Sequence, residues 1–181
     1  MSFDLSADYF SLFDLPVSYS IDNALLTQKY RDLQQVVHPD RFANATEQER
    51  RLSLQYTTHL NEAVNVLKDP LARARYLLEL KGVQWDDEQS TLSDPAFLMQ
   101  QMELREALSD VREQVDPLEA VADIISEVTT IIRGNSCQLE EMLQSDDQDE
   151  WLKAKDQVRK MQFLKKLISE AEAVEAELED S

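Results

Sequence analysis

His38-Pro39-Asp40, followed by Arg41, stands between two amphipathic helical patterns, and these residues with their flanks decide the fold of the chain. Upstream, Leu26, Tyr30, Leu33 and Val37 recur at steps of four, three and four, the spacing that lines one face of a helix. Asp22 is placed to cap that helix. Proline cannot continue a helix and disfavours helical geometry at the residue before it, so the helix stops near Val37 and leaves His38 and Asp40 in a turn. Downstream, Thr46 and Glu49 form a capping-box pattern, and Leu52, Tyr56, His59, Leu60, Ala63 and Leu67 follow on a repeating face. The two helices are expected to return antiparallel, with a polar turn at the tip.

The rest of the chain is also helical in character. Two glycines and five prolines occur in 181 residues, while the strong helix formers are plentiful. Gly82 follows the helical pattern of Leu71 to Leu80 as a C-terminal glycine would. Ser93-Asp94-Pro95 is a start signal, with Asp94 as cap and Pro95 in the first turn of a helix expected to run to about Val115. A second start lies at Asp116-Pro117. From there Val121, Ile125, Val128, Ile132, Asn135, Leu139 and Met142 keep one seam in phase through Gly134, so one helix to about Gln144 is expected, with a break at Gly134 as the alternative. After Ser145-Asp146-Asp147, Trp151, Ala154, Val158, Met161, Leu164, Leu167 or Ile168, Ala171, Val174 and Leu178 continue the same kind of seam. The two long helices form an antiparallel hairpin against which the Pro95 helix packs.

The net charge of -18 is unevenly distributed. Residues 1 to 81 hold eleven acids and nine bases; residues 82 to 181 hold twenty-five acids and nine bases. A near-neutral domain, 1–81, is therefore joined to a strongly acidic one, 82–181. Such a field repels nucleic acid and anionic membrane and favours basic protein partners. The acidic runs at 86 to 88 and 146 to 150 read as solvated turns. No apolar run approaches the roughly eighteen residues of a membrane span, and no basic region followed by an apolar stretch opens the chain, so a soluble cytoplasmic protein is expected. The single Cys137 excludes an internal disulfide and a cysteine-based zinc site, and no cofactor or metal is expected.

The first domain resembles the J-domain family. The resemblance rests on Asp8-Tyr9-Phe10-Ser11-Leu12-Phe13, Tyr30-Arg31-Asp32-Leu33, the His38-Pro39-Asp40 loop, Leu60-Asn61-Glu62-Ala63, Leu67-Lys68-Asp69-Pro70 and Arg73, and it spans residues 1 to about 76. It implies a loop that docks on an ATPase chaperone of the seventy-kilodalton heat-shock class and speeds ATP hydrolysis. Electrostatic capture would rest on Lys29, Arg31 and Arg41. Arg41 stands where lysine is common in the family, and Asp32, Gln34 and Gln35 leave the loop-proximal helix with fewer bases than general J-domains carry, which implies weaker or more partner-specific capture.

Three further segments narrow the family: Arg73-Ala74-Arg75-Tyr76-Leu77-Leu78, Ala96-Phe97-Leu98-Met99-Gln100-Gln101-Met102-Glu103-Leu104-Arg105-Glu106 and Arg159-Lys160-Met161-Gln162-Phe163-Leu164-Lys165-Lys166-Leu167. With them the whole chain resembles the HscB-type J-protein co-chaperones of bacterial iron-sulfur cluster assembly. The resemblance implies an all-α chain in which a J-domain engages a chaperone of HscA type, while a C-terminal three-helix bundle binds the scaffold protein IscU. Carried over position by position, the scaffold-binding patch falls on Leu98, Met99, Met102, Glu103, Glu106 and Asp110 of the first bundle helix and Phe163 of the last. Asp110 is shorter than the glutamate often found there. Phe97, Leu104 and Leu108 are the better core candidates of that helix, and exposed methionine suits adaptable protein contacts.

Other readings compete for the same residues. An acid–base pair of His38 and Asp40 would need a substrate pocket and further polar groups that the sequence does not offer nearby, so no enzyme is expected. His59 lies within a helical pattern without a second ligand at metal spacing and reads as a half-buried packing residue. A general J-domain co-chaperone for unfolded clients, or an acidic helical interaction module without chaperone activity, are the alternatives, and weak self-association through the bundle is possible.

Overall fold

The computed structural model describes residues 7–38, 42, 45–85 and 94–180. Every described element is helical. The chain divides into two compact units, Met1–Leu80 and Lys81–Ser181.

In the first unit, Asp8 caps a short helix α1 (Tyr9–Leu12), accepting from the Ser11 N–H at 3.0 Å. Asp22 caps α2 (Asn23–Val37) through the N–H groups of Ala24 and Leu25. Both halves of the Thr46/Glu49 capping box are made at the start of α3 (Glu47–Lys68). A fourth helix, α4 (Pro70–Leu80), is capped by Asp69, whose carboxylate accepts from Leu71 and Ala72. Each cap satisfies donors that the first turn of a helix leaves without intrahelical partners.

α2 and α3 lie against each other around Leu26, Leu60, Ala63, Val64 and Leu67, with Phe10 and Phe13 filling the open side. The Tyr30 hydroxyl donates to Asn61 Oδ1 at 2.8 Å across the pair. Tyr9 stacks on Tyr76 at 4.4 Å and donates its N–H to the Tyr76 hydroxyl, while His59 meets the Tyr9 ring edge-on at 5.5 Å. Arg73 is buried: Nη1 donates to the Leu67 carbonyl, and the guanidinium lies 5.2 Å from the Tyr19 ring centre. Burial lowers its pKa from the ordinary arginine value.

The face of α3 differs from the sequence expectation at its N-terminal end. Leu52 is exposed, and Ser53 takes the buried position beside the end of α2. Counting back from Leu67 through Val64, Leu60 and Thr57 reaches Ser53, so a small hydroxyl rather than a leucine fits under the last turn of α2.

The second unit is built on α5 (Pro95–Ser109), α6 (Pro117–Gln144) and α7 (Gln148–Glu179). α6 runs unbroken through Gly134 and packs along α7. Val121, Val128, Leu139, Ala154, Val158, Met161, Leu164, Leu167 and Ala171 are buried, with Phe97 and Leu104 of α5 against the hairpin. α5 is shorter than expected. It ends at Ser109 in a 3-10 turn, Asp110–Glu113, in which Val111 continues the buried stripe of Leu104 and Leu108.

Residues 81–85 are strapped to α7. The Lys81 ammonium sits 4.6 Å from the Trp151 ring centre, Lys155 donates to the Gln84 carbonyl at 2.7 Å, and the Trp85 ring is flanked by Lys155 and Arg159. The turn between α6 and α7 is closed by the Trp151 indole N–H donating to the Ser145 carbonyl at 2.7 Å.

Two glycines test the backbone in opposite directions. Gly82 holds φ +83, a left-handed conformation that costs other L-residues about 1–2 kcal/mol. Gly134 sits mid-helix, and a Cβ there meets nothing within 4 Å. Gly134→Ala should stabilise the chain by about 0.5–1 kcal/mol, and Gly82→Ala should destabilise it, as read by chemical denaturation at neutral pH.

Asp94 caps α5 through the N–H groups of Ala96 and Phe97 and pairs with Lys160 at 2.5 Å. The Lys160 hydrogen bond is the leading cause of a carboxylate pKa below its usual value. A depressed folded-state pKa contributes stability that is present above the ordinary carboxylate range and is lost as pH falls through the lowered value. Asp94→Asn retains a capping oxygen and removes the ion pair. The variant should be less stable than wild type at pH 7, with the difference shrinking on acidification below about pH 4 in urea titrations.

Candidate functional sites

The first candidate site is the end of α2. His38 is exposed and leaves the helix in extended geometry at φ −56 and ψ 129. Pro39, Asp40 and Arg41 lie outside the described residues. Lys29 and Arg31, two residues apart, are about 200° apart around α2 and so do not share a face. Arg31 is exposed. Lys29 turns back on the segment before its helix, donating to the Asp14 carbonyl at 2.8 Å and to its carboxylate at 2.9 Å. Asp14 occupies a left-handed conformation at φ 48, so this ammonium braces a turn.

The second candidate site is the outer face of α5. Phe97 and Leu104 are 6% and 5% exposed, whereas Leu98, Met99 and Met102 are 38%, 64% and 71% exposed. One helix thus carries an inner apolar stripe and an outer one. Leu98 and Met102 are one turn apart, and Met99, Glu103 and Glu106 form the adjacent row, both acids exposed to solvent.

Phe163 from α7 is half-buried. Its ring meets Phe97 edge-to-face at 6.0 Å, and the Arg105 guanidinium covers it at 5.0 Å from the ring centre. Phe163 is accordingly shared between the core and the surface beside α5. Asp110, exposed, is the C-cap of α5: its N–H still donates to the Glu106 carbonyl, which keeps it at the end of that row as the 3-10 turn begins. Arg105 is a member of this surface that the sequence pattern did not single out; its position on the face of Phe163 depends on α5 and α7 being docked.

Among the described residues no cluster of His, Cys, Asp and Glu is arranged to hold a metal ion, and no helix is long and apolar enough to cross a membrane. Cys137 is exposed and unpaired.

Residues 93–172 match the family model described as the HSCB C-terminal oligomerisation domain. A Vibrio cholerae protein named co-chaperone protein HscB homolog is 46% identical over 171 residues, 94% of this chain and 98% of that protein. The solved structure of chaperone HscB from Vibrio cholerae superposes with a TM-score of 0.86 at 43% identity, covering 95% of this chain and 99% of that one. The crystal structure of human co-chaperone protein HscB also gives a TM-score of 0.86, at 29% identity, over 96% of this chain and 84% of that one. With both units matched at these identities, the chain belongs to the HscB family of J-protein co-chaperones.

Proposed function

We propose that the chain acts in the cytoplasm, in the maturation of iron-sulfur proteins, by stimulating ATP hydrolysis in a seventy-kilodalton-class chaperone of HscA type and by delivering the scaffold protein IscU to it. The observation that carries this reading is the outer stripe of α5. A helix that has already buried Phe97 and Leu104 has no folding need for Leu98, Met99 and Met102, and exposed apolar residues rimmed by carboxylates fit a protein partner. Phe163 and Arg105 extend that surface, with Glu103 and Glu106 supplying charge. Asp110 contributes from the helix end.

The loop beginning at His38, with Pro39, Asp40 and Arg41, contacts the chaperone, and Arg31 adds charge from the exposed side of α2. Lys29 serves this contact chiefly by bracing Asp14. Holding scaffold and chaperone on one molecule raises their effective mutual concentration. Neither role requires a bound cofactor or a catalytic group of the chain's own.

His38→Gln should remove stimulation of the chaperone ATPase while helical content and melting temperature stay near wild type, since the residue is exposed. Unchanged stimulation by this folded variant would exclude the chaperone contact. Alanine at Leu98, Met99 and Phe163 together should abolish scaffold binding at moderate salt in calorimetric titration, each good anchor being worth ~1–3 kcal/mol. Neutralising Glu103 and Glu106 should instead slow association, and most at low salt. Wild-type scaffold affinity in the triple-alanine protein would remove α5 from the interface.

A further inference from the structure

The last carbonyls of an α-helix have no intrahelical donors, and those that are buried must find one elsewhere. α2 ends on Val37, which is 4% exposed. The chain turns extended at the next residue, and the residue after that is a proline with no N–H to give. The missing donor comes from α3. Ser53, 3% exposed, donates its hydroxyl to the Val37 carbonyl at 2.6 Å. Thr57 lies 3.3 Å from the same oxygen, but its single hydroxyl proton has a nearer acceptor in the Ser53 carbonyl at 2.9 Å. Ser53 is therefore the principal donor, and Thr57 sits next to it as a reserve.

This bond has a directional consequence. The Val37 carbonyl belongs to the peptide unit that joins Val37 to His38, so fixing its oxygen fixes the plane of that unit and the direction in which His38 departs. The space under the last turn of α2 needs a small residue, but alanine would meet that need with better helix propensity, so size and propensity do not account for the hydroxyl. The geometry points to Ser53 as a positioning residue for chaperone stimulation, orienting His38 through the Val37 carbonyl without touching the chaperone. The inference rests on the proposed contact between the His38 loop and an ATPase chaperone.

The test uses the full-length chain and the ATPase rate of the chaperone titrated with wild type, Ser53→Ala, His38→Gln and Val64→Ala. Val64 is a buried α3 residue with no part in the clamp, and its variant controls for loss of stability. Ser53→Ala should lower the maximal stimulation by roughly fivefold, the equilibrium worth of one ordinary hydrogen bond, at unchanged far-ultraviolet circular dichroism. Its His38 amide and ring resonances should move while those of the α5–α7 bundle do not. Ser53→Thr, which restores a hydroxyl, should recover stimulation, and Val64→Ala should retain it.

If Ser53→Ala melts below the assay temperature, Ser53→Cys takes its place. It keeps the shape with only a weak donor and should lose stimulation to a smaller degree. Wild-type stimulation by the folded Ser53 variant, alongside inactive His38→Gln, overturns the positioning role and leaves the chaperone contact standing. Equal losses in Ser53→Ala and Val64→Ala also overturn it, reducing Ser53 to a stability residue. Full stimulation by His38→Gln removes the contact on which the inference rests.

Discussion

The arrangement of the second unit follows from a surplus: α5 carries more apolar side chains than the hairpin of α6 and α7 can cover. A helix presents one stripe to its neighbours, and the stripe chosen is Phe97, Leu104 and, in part, Leu108. Full burial of such side chains is worth about 1.5–3 kcal/mol each, enough to fix the rotation of the helix. Lys160 reinforces that choice at the N-terminal end, joining the Asp94 cap while lying 5.5 Å from the Phe97 ring centre. Once the inner stripe is set, Leu98, Met99 and Met102 have no option but to face outward. The same packing brings Phe163 beside them.

The bases of the acidic unit are spent largely on its own architecture. Lys160 joins the α5 cap, Arg112 pairs with Glu177, Lys153 with Glu150, and Arg105 lies on Phe163. Lys155 and Arg159 flank Trp85. Exposed pairs of this kind contribute little to stability individually. Their collective effect is on the outward field: cations drawn into local contacts leave much of the carboxylate surplus to set the potential that a partner meets.

Much of the fold was readable because its signals are local. Asp22, the Thr46/Glu49 box, Asp94-Pro95 and Asp116-Pro117 each mark a helix start through a side chain acting within one turn of itself, and all appear where the residues placed them. The seam of α6 and α7 was readable because it repeats over many turns, although Ile124 and Leu143 are buried beside the expected Ile125 and Met142, which are half-buried. What escaped depends on contacts between elements. Leu52 and Ser53 differ by one register step: steps of four from Leu60 reach Leu52, the alternating steps from Leu67 reach Ser53, and packing against the end of α2 selects the second. The 3-10 turn after Ser109 leaves Val111 on the same buried stripe as Leu104 and Leu108, so the apolar pattern carries no sign of it. The preference of Lys29 for Asp14 and the strap from Lys81 to Trp85 join residues that no short sequence window brings together. For α5, division of the apolar residues into core and surface was legible, whereas Arg105 over Phe163 was not.

The tight turn between α6 and α7 also bears on how the bundle is assembled in time. Ser145 to Asp147 is closed by its own serine and by Trp151 from the first turn of α7, so the two longest helices can pair from neighbouring sequence with little loop entropy to overcome. α5 precedes them in the chain, yet the surface that receives Phe97 and Leu104 comes into existence only when the hairpin has zipped. Of the three bundle helices α5 is made first at the ribosome, yet its buried face needs the other two, and the helix offering the partner surface is the one held by the least of the core.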